Sequence, residues 1–417
     1  MMVLGKGAAN GTLTEAEVRE VFAAGIEQIG VEGKRILVIL PDNTRSGPIP
    51  LCFRLLTELM LGRAARLDML IALGTHRAMS DEEICRHLGI TAEERAGKYG
   101  GVGLFNHDWQ HNLRLLGTIP AEEIKALSRG YFREALPVEI NARIFDYDHL
   151  IILGPVFPHE VVGYSGGSKY FFPGISGEKV MSLTHWLSGM LGVLNVIGQQ
   201  DTPVRRILHR ATELIPVPNW CFSMVVRGHH DLAGMYFGTP QTSQAAAAEL
   251  SSQVNVRYVD RTYHTVLSML PELYDEFWTG AKGIYKLAPV VADGGTLILY
   301  APHVRTVAHT HGATIERLGY HVTGYYLSHM DELRDVSPLV MGHAALVAGD
   351  GSYENGVETP RIQIILATGI PEEQCQRVCM GYRDPATIDP QEWMGREEEG
   401  ILVVPRAGEV LYRVRAR

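Results

Sequence analysis

The chain has 417 residues, 47 acidic and 38 basic side chains, a formal net charge of −9 and a hydrophobic fraction of 46%. That length suggests two or three domains at roughly 150 residues each, and the hydrophobic content excludes a disordered or collagen-like chain. A mildly acidic balance without a long Lys/Arg run argues against nucleic acid or anionic membrane as partner, and five scattered cysteines make no disulfide framework.

The first dozen residues lack the charged start and apolar run of a signal peptide. Apolar stretches such as Leu150 to Phe157 are too short to span a bilayer, so a cytoplasmic protein with no membrane partner is expected. Thr14 to Gly30 reads as a helix, with Thr14 as N-cap and Glu17 completing a capping box. Arg35 to Leu40 is a buried strand, Leu51 to Leu61 a helix, Leu67 to Leu73 a strand, and Ser80 caps a helix opening on three carboxylates. His149 to Leu153 and Cys221 to Arg227 are further strands. Later come Thr265 to Met269 as a strand, Asp275 to Val291 as a helix, and Gly295 to Tyr300 as a strand. Ala344 to Ala348, Ile362 to Leu366 and Gly400 to Val404 repeat the strand pattern. This rhythm predicts an α/β chain of two domains, residues 1–262 and 263–417, each with a mostly parallel sheet flanked by helices. Ligands then gather at the carboxyl ends of strands.

The chemically loaded residues fall at those ends. After the first strand come Asp42, Thr44 and Arg45, an acid, a hydroxyl and a guanidinium that suit a carboxylate or phosphate; the alternative is an Asx-type helix start with a surface arginine. After the second comes Gly74-Thr75-His76-Arg77, where His76 is either a general acid–base or a hydrogen-bonded loop residue. After the third, His159 precedes Ser165-Gly166-Gly167-Ser168-Lys169 and Pro173-Gly174. The paired glycines let backbone N–H groups approach an anion, yet Ser168 and Tyr170 flank the lysine where a Walker A loop needs Gly and Ser/Thr. A GxGxxG fingerprint is also absent here. Partial desolvation of Lys169 would favour covalent chemistry, and His185 follows sixteen residues on, upon a helix expected from Ser176. The alternative is a Gly-rich turn with a solvated lysine and an ordinary helical histidine. The groups His107/Asp108/His111, His229/His230/Asp231 and Cys375/Cys379 match no complete zinc motif and read as structural.

Taken together, DxTR at Asp42–Arg45, GxHR at Gly74–Arg77, and the block from His159 through SGGxK and PGI to His185 resemble the lactate racemase family. Lys282-Gly283 and the later run Gly294-Gly295-Thr296-Leu297-Ile298 extend the resemblance past residue 270. The family comprises nickel-dependent racemases and epimerases of 2-hydroxyacids that carry a nickel-pincer nucleotide. That cofactor is a pyridinium-3-thioamide-5-thiocarboxylic acid mononucleotide which clamps nickel through two sulfurs and a ring carbon. The resemblance implies that Lys169 holds it as a thioamide and that Ser165, Gly166 and Gly167 lie against it. His185 would complete the nickel shell, whose soft donors suit Ni(II). It further implies that His76 and His159 are the two acid–bases and that Arg45 and Lys282 bind substrate carboxylate, with Asp42 orienting Arg45 or an adjacent polar group. The active site would lie in the interdomain cleft. Cofactor-maturation enzymes would be partners, and the protein a monomer or homodimer.

The lactate-specific enzymes carry Tyr-Gln before the matched lysine, and this chain has Trp278-Thr279 there. His303, His309 and His311 replace a Gly/Asp-rich loop. The expectation is a kept cofactor and a changed substrate, a 2-hydroxyacid or sugar acid other than simple lactate. The competing readings are a non-catalytic cofactor carrier, which would need neither His76 nor His159, and a zinc-dependent hydrolase, which lacks an HExxH base.

Overall fold

The computed structural model describes residues 3–228 and 230–415, so His229 of the His229/His230/Asp231 group lies outside the described residues. The chain forms two compact units. One comprises the chain up to Phe157, Tyr164–Met181 and Pro203–Val254; the other comprises Pro158–Gly163, Ser182–Thr202 and the chain from Asn255 onward. This division differs from a single cut at 262/263, because two short segments of the first half are bonded into the second unit. Buried Lys286 donates to Pro158 O, Thr323 Oγ1 donates to Gly189 O at 2.8 Å, and Arg413 donates to Ile197 O.

The first unit is built on a seven-stranded sheet. Its strands are β1 (Leu4–Gly7), β2 (Arg35–Pro41), β3 (Arg66–Ala72), β4 (Gly103–Asn106), β5 (His149–Pro155), β6 (Asn219–Arg227) and β7 (Asp231–Gly238). They lie in the order β1-β7-β6-β5-β2-β3-β4. The run from β6 to β4 is parallel, while β7 and β1 add antiparallel edges. Every residue of β2 after Arg35 is buried, as expected of a parallel strand covered on both faces. Helix Glu15–Ile29 carries the expected Thr14/Glu17 capping box and ends at Gly30, whose φ of 70° is left-handed. Its Val18, Val21, Phe22, Ile26 and Ile29 enter the core, and full burial stabilises by about 1.5–3 kcal/mol per large apolar side chain.

Chain order in this sheet reverses between β2 and β5. From β2 the chain moves outward through β3 to β4, then returns to β5 on the other side of β2. Such a switch point leaves a crevice at the carboxyl ends of the two strands. The segments leaving β2, β3 and β5 begin at Asp42, Leu73 and Val156, so within this unit topology alone gathers the DxTR, GxHR and Tyr164-to-Lys169 stretches toward one edge.

The second unit holds an all-parallel five-stranded sheet made of β8 (Tyr263–Met269), β9 (Val291–Ala301), β10 (Gln363–Thr368), β11 (Gly381–Tyr382) and β12 (Ile401–Val404), in the order β11-β10-β9-β8-β12. Two elements differ from expectation here. The helix expected over 275–291 is broken into Phe277–Gly280, Lys282–Tyr285 and a 3₁₀ turn Ala288–Val290. Gly280 and Gly283 permit close packing on Leu270, since a Cβ on either would fall 2.7 or 2.6 Å from that side chain. Ala344 to Ala348 is not a strand but the end of helix Pro338–Ala348, whose residues from Leu339 onward are all buried. Burial on every face erases the periodicity that tells helix from strand; Ser337 followed by Pro338 at the first helical position is the surviving start signal. Among the described residues no helix is long and apolar enough to cross a membrane.

Candidate active site

At the carboxyl end of β2, Asp42 is 5% exposed. Its Oδ1 accepts from Thr44 Oγ1 at 2.7 Å and from Thr44 N at 3.2 Å, and its Oδ2 lies 2.5 Å from His76 Nδ1. Burial by itself would raise the carboxyl pKa. The His76 ring, the Arg45 charge and the Thr44 hydroxyl outweigh it and hold Asp42 well below the usual carboxylate range. An ionised carboxylate only accepts, so His76 Nδ1 carries a proton, and in the neutral ring Nε2 then keeps its lone pair. The partner of Asp42 is therefore His76 and Thr44. Arg45 leans on Thr44, donating at 3.4 Å to both its carbonyl and its hydroxyl.

The loop after β5 is unusual in its burial. From Leu150 to Gly177 every residue is buried except Lys169, which is partly accessible. A buried loop must satisfy its own backbone groups, and this one does so with side chains from elsewhere in the unit. Ser165 Oγ accepts from Phe157 N at 2.8 Å and donates to Pro155 O at 3.0 Å, so its hydroxyl braces the loop. Arg205, itself 2% exposed, donates to the carbonyls of Tyr164 and Gly166. Gln244 Nε2 donates to Ser165 O at 3.4 Å, and Ser168 Oγ lies 3.2 Å from His209 Nδ1. Gly166 and Gly167 have φ of 82° and 56°. A Cβ on Gly167 would fall 2.3 Å from Pro240 O, so both backbone conformation and space require glycine. Beyond Lys169, Tyr170 lies on Gly154, where a Cβ would meet the phenol oxygen at 2.0 Å. Gly174 O accepts from Gly74 N at 3.0 Å, which ties the His76 loop to this one.

In the second unit, His159 is 7% exposed, and its Nδ1 accepts from Val161 N at 3.1 Å. A neutral imidazole bonded this way carries its proton on Nε2, the opposite of His76. His185 sits on helix Glu178–Leu191. That helix meets Pro338–Ala348 closely, since a Cβ on Gly342 would fall 2.4 Å from the His185 carbonyl carbon. The approach brings His343 into the neighbourhood of His185. The His343 ring stacks on Trp278 with centroids 3.5 Å apart, and Trp278 also faces His311 at 4.7 Å. Burial, with the positive charges of His185, His311 and Lys282 nearby, keeps His343 well below the ordinary histidine range. Its Nε2 and the buried Tyr320 hydroxyl have no hydrogen-bond partner. Lys282 Nζ donates to Thr279 O at 3.2 Å and lies 5.4 Å from the Tyr274 ring centre. Thr279 turns its own hydroxyl to Glu276 O at 3.4 Å.

Within the first unit the fold thus brings Asp42, Arg45, His76 and the Ser165–Lys169 loop to one sheet edge; within the second it gathers His185, Trp278 and Lys282 around His343. Arg205, Lys286 and His343 were not singled out in the sequence. Arg205 falls on the buried stripe of helix Pro203–Thr212, between Val204 and Leu208, and His343 is the one ionisable group in an otherwise apolar helix; both are readable signals. The zinc-like groups behave differently. His107 is buried, with Nε2 3.1 Å from Ser176 O and Nδ1 accepting from Asn141, while Asp108 and His111 are exposed. Among the described residues no three His, Cys, Asp or Glu side chains gather as a metal site.

A sequence model described as the lactate racemase N-terminal domain matches residues 12–192. The lactate racemase of Thermoanaerobacterium thermosaccharolyticum is 25% identical over 286 residues, 65% of this chain and 60% of that protein. That of Lactiplantibacillus plantarum is 26% identical over 166 residues, 38% of this chain and 34% of that protein. In each case the match therefore spans less than two thirds of the relative's length. A solved structure of a Thermotoga maritima protein is similar along 98% of this chain and 100% of its own, with a TM-score of 0.90 and 31% identity. The lactate racemase apoprotein from Thermoanaerobacterium thermosaccharolyticum shares the fold over 95% of this chain and 93% of its own, with a TM-score of 0.71 and 19% identity.

Proposed function

Because residues 12–192 match the lactate racemase N-terminal domain and a lactate racemase is 25% identical over 65% of this chain, we propose that the chain is a member of the lactate racemase family that racemises or epimerises a 2-hydroxyacid with two histidine acid–bases and a nickel-pincer nucleotide. The observation that carries this reading is the contrast between the two Nδ1 atoms, one beside a carboxylate and the other accepting from a backbone N–H. His76 offers a lone pair at Nε2 because Asp42 holds its Nδ1 proton, and His159 offers a proton at Nε2 because Val161 N fills its Nδ1. Inverting a carbinol carbon needs one group to take the hydroxyl proton and another to give one back, with the roles exchanged for the other enantiomer.

The residues fit the cofactor. Lys169 is the accessible amine in an otherwise buried loop held by Ser165, Arg205 and Gln244, which suits covalent attachment. His185 supplies an imidazole donor, and Gly166 and Gly167 keep the backbone bare beside Lys169 in the chain. When bound, the nucleotide supplies the metal and the carbon that accepts hydride from substrate. Arg45 and Lys282 are the cations assigned to the substrate carboxylate. Asp42 acts as a positioning residue, fixing the tautomer and direction of His76.

Trp278, stacked on His343 and tilted against His311, and Thr279, bonded to its own helix turn, replace the residues expected of an enzyme for lactate. A larger or more polar 2-hydroxyacid, sugar acids included, is the substrate class proposed. The test uses protein matured with the cofactor-making enzymes and a panel of enantiopure 2-hydroxyacids and sugar acids deuterated at C2. Interconversion with deuterium retained, lost in His76→Ala and His159→Ala, is the expected result, with a mass addition at Lys169 absent from Lys169→Ala. Washout of deuterium to solvent would overturn the hydride reading. A protein carrying both cofactor and nickel yet inert on every substrate would favour the carrier.

A further inference from the structure

A second reactive arrangement lies elsewhere in the second unit, on residues the proposed isomerase chemistry does not use. His321 Nδ1 is 2.7 Å from Glu358 Oε2, and the other oxygen of that carboxylate accepts from Val322 N at 2.6 Å. The ring is clamped flat on Tyr325, with centroids 3.8 Å apart, and edge-on to Tyr326 at 6.0 Å. Its backbone N–H donates to the Tyr326 hydroxyl at 2.8 Å. The opposite ring nitrogen faces a sulfur. Gly319, at φ +71°, marks the junction, because a Cβ there would sit 2.8 Å from His321 Nε2 and 2.9 Å from Cys379 Sγ. Any other residue at 319 would occupy the space through which imidazole and thiol approach.

Cys379 does not share a helix with Cys375. Helix Glu372–Arg377 ends two residues earlier, and Cys379 is exposed in the left-handed region at φ 60°. Cys375 stays buried, its Sγ turned to Ile370 O at 3.8 Å. Cys379 and Glu358 line the wall of a cavity of about 550 Å³, together with Tyr320, Ile362, Ile364 and Met380. The groups that face His321 are Glu358 from the strand Val357–Pro360, Cys379 from the turn after Glu372–Arg377, and Tyr325 and Tyr326 from the helix Thr323–Ser328. His329 and Tyr353 lie behind Tyr325. Burial favours the neutral ring, but the sulfur and the carboxylate on either side outweigh it and raise His321 to about 9. A cation beside a thiol favours its thiolate, the nucleophilic form.

We propose that Cys379, His321 and Glu358 form a reactive-thiol site, distinct from the isomerase residues, that is covalently modified by peroxides entering the adjoining cavity. Glu358 orients and charges the imidazole, which in turn holds the sulfur as thiolate. The sulfur attacks one oxygen of hydrogen peroxide, and an S–O bond forms as the O–O bond breaks. Sulfur is oxidised by two electrons to the sulfenic acid while the peroxide is reduced. The departing hydroxide takes the proton from His321 Nε2 and leaves as water.

The test uses the full-length purified protein, with iodoacetamide and hydrogen peroxide as probes and peptide mass spectrometry to resolve each cysteine. Near neutral pH, Cys379 in the wild type should alkylate at least about tenfold faster than in His321→Asn. The variant should instead follow an ordinary thiol titration near about 8.5. Glu358→Gln, a milder change at a partly buried position, should slow alkylation to an intermediate rate, and it carries the comparison if His321→Asn does not fold. Peroxide followed by dimedone should label Cys379 in the wild type. Equal alkylation rates in wild type and folded variants would overturn the proposal. So would fast alkylation with no sulfenic acid trapped at Cys379.

Discussion

Asp42→Asn isolates the contribution of the His76 dyad without changing side-chain size. In the wild type the carboxylate accepts at 2.5 Å from His76 Nδ1, and it is buried enough that water cannot replace it. Asparagine can still accept from Thr44 through its carbonyl. Its NH₂ then faces His76 and makes Nδ1 the acceptor, which moves the proton to Nε2 and removes the base. A hydrogen bond to a charged group contributes about 1.5–3 kcal/mol, which converts to a fall in turnover of roughly 10- to 150-fold. The assay is initial-rate isomerisation in both directions with cofactor loading matched by intact mass. A second reading comes from pH. The folded pKa of Asp42 is depressed, so its stabilising contribution is complete above the unfolded value of about 3.9 and is lost as pH falls below it. Wild type should therefore exceed Asp42→Asn in stability by a constant margin through the neutral range, and the margin should close in acid. A variant with wild-type turnover and an unchanged pH profile would refute the orienting role.

His107 is buried as a neutral ring, with its pKa pushed down to about 4 by desolvation. Because the folded value lies below the unfolded one, its contribution is complete above about pH 6.5 and falls by up to roughly 3 kcal/mol as pH drops toward 4. Urea midpoints across that range should show the loss in wild type and a flatter profile in His107→Gln; parallel profiles would refute it. Gly342→Ala places a carbon 2.4 Å from the His185 backbone, so it should cost about 1–3 kcal/mol by overpacking, read as a lower thermal midpoint. Gly312→Ala, where nothing lies within 4 Å, is the control and should be neutral. Lys286→Met leaves the carbonyls of Pro158 and Glu409 without their buried donor. It should destabilise by about 3 kcal/mol and speed hydrogen exchange over residues 158–163; unchanged protection there would remove Lys286 from the positioning of His159.

Much of the fold was legible in local pattern. The Thr14/Glu17 and Ser80/Glu83 capping boxes both formed, and the apolar runs at 35, 67, 149, 221, 265, 295, 362 and 400 became strands within a few residues of their expected limits. These are short-range effects, set by side chains a few positions apart, so sequence order contains them. Ala344 to Ala348 failed because a helix buried on all sides has no amphipathic period to read. The helix expected over 275–291 failed because Gly280 and Gly283 answer to Leu270, a residue outside the segment.

The sequence by itself determined which candidate residues are present: the DxTR and GxHR elements, the glycine-flanked Lys169, and the histidines at 76, 159 and 185. Only the tertiary structure decided what each one touches. It placed Asp42 on His76 rather than Arg45, gave the Nδ1 atoms of His76 and His159 different partners, and sealed the loop around Lys169 with Arg205 and Gln244. It also set Cys379 beside His321, two residues that the sequence holds 58 positions apart. Hydrogen-bond direction and burial depend on neighbours distant in the chain, and those neighbours exist only once the sheets have formed.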